Sequence, residues 1–435
     1  MPQLMIRLSH PDAASADRVG PKAANLAALG RAGLPIPDGY CVPADAYRRQ
    51  LAHLGLEETA REVFSGEDAQ ARRAALRLRM RLMEEPVLPE MQEPLMGAWR
   101  EITRQGAVPG VVRSTALVED RHGSSFAGQF ESFLGITEET DFLTAVRACW
   151  AALWAPRALR YMATHGVDPA QTAMALLIQP LVAARAAGGG LSRTAEGHML
   201  INATPGLGSA IAQGEVAPDR YHLDRGGALL ESQAGVTYHQ ATCVHQPRLA
   251  RLAVAPKSCL TRNQVEDLGR LLLGAERVMD MPVEIEWALD DAGFKLLQAR
   301  PLHLDDNAGI HTPDPAWLRQ PRLRGQPAGV GWGTGRARVV NCECEVSRVA
   351  PGDILVTRAA GPALGRVLAI VAGVVTELGG STSHLASLAR ERCVPMVLGV
   401  PGATLQIPDG AQVAVDGVAG IVRWMRPEGA DRVKA

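Results

Sequence analysis

His384 closes a run of residue types suited to phosphoryl chemistry: Thr376-Glu377-Leu378-Gly379-Gly380-Ser381-Thr382-Ser383-His384, followed by Leu385-Ala386-Ser387-Leu388-Ala389-Arg390-Glu391. The apolar segment Val367–Val375 reads as a buried strand, Gly379-Gly380 as a turn, and the Ala/Leu-rich stretch after His384 as a helix. The imidazole then stands on the first helical turn, beside backbone N–H groups that have no intrahelical acceptor. The helix field there favours an anionic group such as a phosphoryl. Neutral imidazole is a good nucleophile with a pKa near working pH, so His384 is expected to carry phosphate. Thr382 or Ser383 can cap the helix. Arg390 lies further along it, and no contact with the phosphoryl group is assigned to it.

Three upstream clusters could serve the same chemistry. In Val19-Gly20-Pro21-Lys22-Ala23-Ala24-Asn25-Leu26 a glycine turn delivers a lysine to a helix start, where its ammonium can meet a phosphate as a point charge. In Val111-Val112-Arg113-Ser114-Thr115 a strand ends in an arginine and two hydroxyls; Glu119-Asp120 and the small-residue loop Ser124-Ser125-Phe126-Ala127-Gly128-Gln129 follow. Arginine offers a planar fork to phosphate oxygens, and such a loop lets backbone N–H groups approach closely. In Glu284-Ile285-Glu286-Trp287-Ala288-Leu289, a turn at Asp290-Asp291-Ala292-Gly293, and Lys295-Leu296-Leu297-Gln298-Ala299-Arg300-Pro301, two strands bring a carboxylate and an amide oxygen to one face. Glu286 and Gln298 are oxygen donors of the kind Mg²⁺ takes together with nucleotide phosphates, and Arg300 shares the face of Gln298. Each cluster alone also reads as an ordinary solvated turn or hairpin face.

The elements that must position these residues read as mixed α and β. Helical patterns cover Ala23–Ala32, Asp68–Glu84, Phe142–His165 and Arg262–Met281, and strand patterns cover Val108–Val112, Ala173–Leu181, Met199–Ala203, Val283–Leu289 and Phe294–Gln298. The Pro-, Gly- and Arg-rich stretch 302–323 reads as a linker. After it, residues 324–426 carry short β runs at Ala337–Val340, Asp353–Thr357, Met396–Gly399, Gln412–Val415 and Gly420–Trp424 around the His384 helix; 427–435 read as a frayed tail. The arginines 72, 73, 77, 79 and 81 read as a solvated face over a packed stripe of Leu76, Met80 and Met83. His239, Cys243 and His245 have no evident fourth ligand and carry no metal reading.

Composition excludes several classes. At 435 residues, 47% hydrophobic and 21% charged, the chain reads as two or three soluble globular domains. A net charge of −1 gives no electrostatic footprint for nucleic acid. Met1–Arg7 is a poor secretory signal, and no run of about 18 apolar residues suits a membrane span. Seven cysteines without a Cys-x-x-Cys pair read as reduced thiols in a cytoplasmic protein.

Taken in order, the four clusters resemble the phosphoenolpyruvate synthase / pyruvate phosphate dikinase / rifampin phosphotransferase family over most of the chain. The resemblance rests on Gly20-Pro21-Lys22, Arg113-Ser114-Thr115, Ser125 to Gln129, Glu284 to Trp287, Gln298 to Pro301 and Gly379 to His384, with Gly206-Leu207-Gly208 and Pro218-Asp219 also matching. It departs where Pro21 and Ser209 replace a usual glycine and glutamate, and in Ala184–Thr194. The resemblance implies an α/β (α+β) fold: an ATP-grasp-type nucleotide-binding region over 1–301, in two subdomains, and a small swivelling β/α phosphohistidine domain. It implies ATP and Mg²⁺ as cofactors. Nucleotide contacts would come from Lys22, Arg113, Ser114, Gly128, Gln129, Gln179, Glu286, Gln298 and Arg300, and metal ligands from Glu286 and Gln298. His384 and Arg300 would be catalytic, with Gly379, Gly380, Thr382 and Ser383 supporting His384. The implied reaction attacks the ATP β-phosphate with His384, releases AMP and Pi, and passes phosphate to a small-molecule acceptor. No stretch reads as the family's pyruvate-binding barrel or helical acceptor domain, so the acceptor is expected on one of these domains or on a separate subunit. A nucleotide-binding regulatory protein without turnover is the alternative from another class.

Overall fold

The computed structural model describes residues 4–65, 68–120, 126, 128–235, 258–302, 315–341, 343–359 and 361–425. The expected tail 427–435, Ser124, Ser125, Ala127, the greater part of the expected linker (303–314) and the His239/Cys243/His245 group lie outside them. Contacts divide the chain into two compact units that interleave along the sequence: Met1–Ala183 with Arg277–Asp280 and Asp290–Pro301, and Ala184–Glu276 with Met281–Leu289 and Leu302–Ala435. Both mix helix and strand, as the expected fold class requires.

The first unit holds strands β1 (Ile6–Arg7), β2 (Tyr40–Val42), β3 (Gly110–Ala116), β4 (Ser132–Ile136) and β5 (Met174–Pro180) in an antiparallel sheet of order β1-β2-β5-β3-β4. Helices cover it. Trp99 on Pro89–Ile102 stacks on Phe142 at 4.4 Å, and Gly110 leaves room for the Trp99 ring, since a Cβ there would lie 2.1 Å from it. Trp154 Nε1 donates to the buried Tyr47 hydroxyl at 2.8 Å. The expected single helix Phe142–His165 is two, Glu139–Ala152 and Pro156–Thr164, because Pro156 cannot continue the first and starts the second. On Asp68–Glu84 the packed row is Ala74, Ala75, Leu78 and Leu82; Leu76, Met80 and Met83, expected to pack, are exposed.

The second unit begins with β6 (Ala186–Leu191), β7 (Met199–Pro205), β8 (Asp219–Leu223), β9 (Leu229–Gln233) and β10 (Val283–Asp290), antiparallel in the order β10-β6-β7-β8-β9. Strand β10 ends at the expected turn, after which β11 (Gly293–Pro301) belongs to the first unit. The helix Arg262–Met279 covers one face: Leu272 and Ile285 both stand beside Gly190, and Gly269 fits against Leu223. The register sets Glu286, Gly189, Asn202 and Arg220 in one row across the other face.

The remaining strands are β12 (Arg322–Arg324), β13 (Gln326–Pro327), β14 (Trp332–Val340), β15 (Ile354–Thr357), β16 (Gly373–Thr376), β17 (Met396–Leu398), β18 (Gln412–Asp416) and β19 (Ile421–Trp424), in the order β12-β19-β18-β14-β15-β16-β17-β13. The long β14 pairs parallel with β15 through its second half and antiparallel with β18 through its first. Valines and isoleucines of β14, β15, β16, β17, β18 and β19 form the core between them. The expected strand Val367–Val375 is shorter: Pro362–Arg366 is a 3-10 turn, and only Gly373–Thr376 is extended. Within the stretch expected as a linker, Pro315–Leu318 is helical and β12 pairs with β19.

Candidate functional site

In the first unit three basic and polar side chains gather around β3. Gly20, at φ +78°, ends one helix and caps the next, Pro21–Arg31; a Cβ there would lie 2.1 Å from Thr115 Oγ1, so the turn needs glycine. Lys22 on the first turn pairs with Glu119 at 2.9 Å and points toward the Ser114 carbonyl at 3.5 Å. Glu119 is fully buried; burial pushes its carboxyl up to about 7, Lys22 opposes that rise, the neighbouring Asp120 adds to it and Arg113 lowers it. Sequence reading noted Glu119 only in passing; its signal was an acidic pair shortly after an Arg-Ser-Thr strand end.

Arg113 donates Nη1 to the Leu297 carbonyl at 2.7 Å and Nη2 to Gln298 Oε1 at 2.8 Å, and Asn25 Nδ2 donates to the Ala299 carbonyl at 3.1 Å. Lys22, Arg113 and Gln298 thus belong to one neighbourhood, where β11 runs against the Lys22 helix. Arg300, two residues on, is buried at 7% exposure. Ser114 is buried and donates its hydroxyl to the Glu131 carbonyl at 2.8 Å. Gly128 turns at φ +67°, and the Gln129 carbonyl accepts from Arg157 Nε at 2.8 Å. Gln179 is buried on β5, and its Nε2 donates to the Pro37 carbonyl at 3.2 Å. That bond ties Gln179 to the fold.

In the second unit His384 opens the helix His384–Glu391, and Ser383 is the residue that caps it, its hydroxyl accepting from Ala386 N at 3.3 Å. The preceding loop rests on the open face of the β6–β10 sheet. Gly379, at φ +110°, donates its N–H to the Val216 carbonyl at 2.8 Å, and a Cβ on Gly380 would lie 2.9 Å from Pro218. The buried Ser381 hydroxyl accepts from Asn202 Nδ2 at 2.8 Å and from Gln326 Nε2 at 2.9 Å. Thr382 stands over Gly189, whose Cβ would come within 2.5 Å of it. The loop before His384 is therefore seated on the row that carries Glu286, Gly189 and Asn202. Glu286 is half-buried there, and Glu284 lies on the same face two residues earlier.

Arg390 faces a carboxylate of the protein itself. It bonds Glu284 Oε2 at 2.7 Å through Nη2 and the Ser381 carbonyl at 2.6 Å through Nη1; Ser387 Oγ donates to Glu284 at 3.2 Å. Arg390 and Glu284 are both buried. Sequence reading missed Glu284 as a partner, although its place two residues before Glu286 put it on the same strand face.

Comparison with known proteins decides the family. Residues 16–314 match the family described as pyruvate phosphate dikinase, AMP/ATP-binding domain, and residues 349–420 match the PEP-utilising enzyme, mobile domain. This chain belongs to the pyruvate phosphate dikinase family of PEP-utilising enzymes. The chain is similar to the phosphoenolpyruvate synthase of Aeropyrum pernix, at 30% identity over 93% of this chain and 56% of that protein. It is similar to the phosphoenolpyruvate synthase of Pyrococcus furiosus at 29% identity over 93% of this chain and 56% of the relative, so it spans about half the length of these relatives. Among solved structures it is similar to the D-alanine-D-alanine ligase from Coxiella burnetii at 8% identity and a TM-score of 0.28, covering 66% of this chain and 49% of the ligase; so low a score bears no weight. No helix among the described residues is long and apolar enough to cross a membrane.

Proposed function

We propose that this family member is an ATP-dependent, AMP-forming phosphotransferase that works through phospho-His384. The observation that carries the reading is the seat of the His384 loop: an imidazole at a capped helix start, with its approach segment fixed on the sheet row that holds Glu286. A nucleophile that takes phosphate must be held still relative to the groups that neutralise the charge of its target. The seat supplies that order.

Roles are assigned residue by residue. Lys22, Arg113 and Arg300 neutralise phosphate oxygens, and Lys22 leaves Glu119 to do so. Gln298 Oε1 already accepts from Arg113 and has a second lone pair for a cation, and Glu286 is half-buried. Each by itself is an oxygen donor of the kind Mg²⁺ takes, since that ion binds few protein oxygens and shares the rest of its shell with phosphates and water. When bound, the ion would supply charge neutralisation on the nucleotide. His384 attacks the β-phosphate, AMP leaves, and water removes the terminal phosphate as Pi. The phosphoryl group then passes to a small-molecule acceptor, bound on this chain or on a separate subunit, in the cytoplasm.

The test is incubation with Mg²⁺ and ATP labelled at the β-phosphate, followed by chromatography and mass spectrometry. The expected result is AMP, Pi and an acid-labile, base-stable phosphoryl group on His384, absent in His384→Asn. ATP that binds without labelling His384 would refute the reading and favour a nucleotide-binding regulator.

A further inference from the structure

We infer that the Arg390–Glu284 ion pair is a latch that positions His384, holding its loop on the glycine-rich sheet and releasing it when the phosphoryl group must travel. This rests on the phospho-His384 reading above. Arg390 uses its two terminal nitrogens in two directions. Nη1 bonds the Ser381 carbonyl at 2.6 Å, three residues before His384, and Nη2 bonds Glu284 on β10 at 2.7 Å. One guanidinium therefore fixes the shape of the His384 loop and its seat on the sheet together, which the single point charge of a lysine cannot do. Ser387 adds its hydroxyl to the same carboxylate, so the helix that His384 opens is tied at two places along its length.

The chemistry of the seat suits release. Its described ties are largely polar: Arg390 and Ser387 to Glu284, Asn202 to Ser381, and Gly379 N–H to the Val216 carbonyl. Each such group can be rehydrated when the surfaces part, whereas an apolar seat would lose its whole burial free energy on opening. A buried ion pair gains little over a well-packed apolar contact, but losing one partner strands the other charge in a dry site. The pair thus gives geometric specificity without locking the loop down.

The test uses the full chain with Glu284→Gln, Arg390→Met and the double variant. Each single variant leaves an unpaired buried group only while the loop is seated, so seating is penalised more than folding. Labelling of His384 by ATP at saturation should slow by roughly tenfold or more in each single variant, with KM for ATP unchanged. The double variant, which leaves no unpaired charge, should recover much of the rate, and the cycle should show coupling. Hydrogen exchange should rise at Gly188–Gly190 and Ser381–Ala386 in the single variants without loss of the thermal transition. Arg390→Lys, with its charge kept and its fork lost, should give an intermediate rate, and it carries the test if a neutral variant fails to fold. Wild-type labelling and exchange in these variants, or a double variant as slow as the product of the single effects, would overturn the latch. If the wild-type chain takes no phosphate from ATP, the functional reading fails, while exchange still decides whether the pair seats the loop.

Discussion

Gly189→Ala should separate seating of the His384 loop from folding of the sheet beneath it. Residue 189 lies in β6 with extended backbone that alanine adopts freely, so the substitution carries no conformational strain. Its new Cβ would stand 2.5 Å from Thr382 Cβ and Oγ1 and 2.6 Å from Cγ2, and these are its three nearest atoms. Thr382 cannot simply swing aside: Ser381 before it is bonded to Asn202 and Gln326, and Ser383 after it caps the helix. Overpacking of this kind costs about 1–3 kcal/mol, a shift of roughly 5- to 150-fold against the seated loop, since about 1.4 kcal/mol is tenfold. The neighbouring Gly188→Ala is the control. Its Cβ would lie 1.9 Å from the Asn202 carbonyl oxygen, which belongs to the backbone of β7, so the β6–β7 ladder itself must open. Quench-flow labelling of His384 and thermal denaturation read the two effects. Gly189→Ala should label 5- to 150-fold more slowly, by the same estimate, with its melting temperature nearly unchanged, and Gly188→Ala should lose several degrees. A wild-type labelling rate in Gly189→Ala, or an equal loss of melting temperature in both, would refute the seating argument.

Two further outcomes concern the first unit. Gly20→Ala forces a side chain into φ +78° and onto Thr115, so it should lower the melting temperature and, by displacing the Lys22 turn, raise KM for ATP more than Lys22→Met raises it through charge loss alone. Glu119 has a folded-state carboxyl pKa of about 7, raised by burial above its ordinary 4.5, so the folded chain holds a proton that the unfolded chain has released between those values. Its contribution to stability is present below about pH 4.5 and is lost as pH rises toward 7. Chemical denaturation of Glu119→Gln across that window should show a flatter pH dependence than wild type, and an identical slope would disprove the assignment.

The local elements that carry the candidate residues were legible in the sequence because their signals are local. A glycine turn before Lys22, a strand reaching Arg113 and a Gly-Gly turn before His384 each show in a few consecutive letters, and the structure has a helix, a strand and a helix at those places, although the strand Gly110–Ala116 carries Arg113 at its middle and not at the expected end. What escaped depends on distant neighbours. Leu76, Met80 and Met83 have helical spacing, yet the packed face is Ala74, Ala75, Leu78 and Leu82, and the two alanines in it give a weaker signal. Arg390 read as an undecided basic residue because its partner, Glu284, is 106 positions away.

Strand β6 is the clearest case of a segment whose letters make sense only in three dimensions. Ala-Ala-Gly-Gly-Gly-Leu has little strand propensity, and the sequence reading placed no strand there. Each glycine answers a different neighbour. Gly188 admits the carbonyl of Asn202 from the adjoining strand, Gly189 admits Thr382 from the His384 loop, and Gly190 admits Ile285 and Leu272 from the side covered by the helix Arg262–Met279. A strand built for its own stability would carry β-branched residues at these positions. One stripped of side chains at three successive positions gives up intrinsic propensity so that a ladder, the His384 loop and a helix can all approach it closely. Of the three, only the loop is a visitor in the proposed cycle. Gly189 is therefore the position where a methyl group should cost transfer more than it costs the fold.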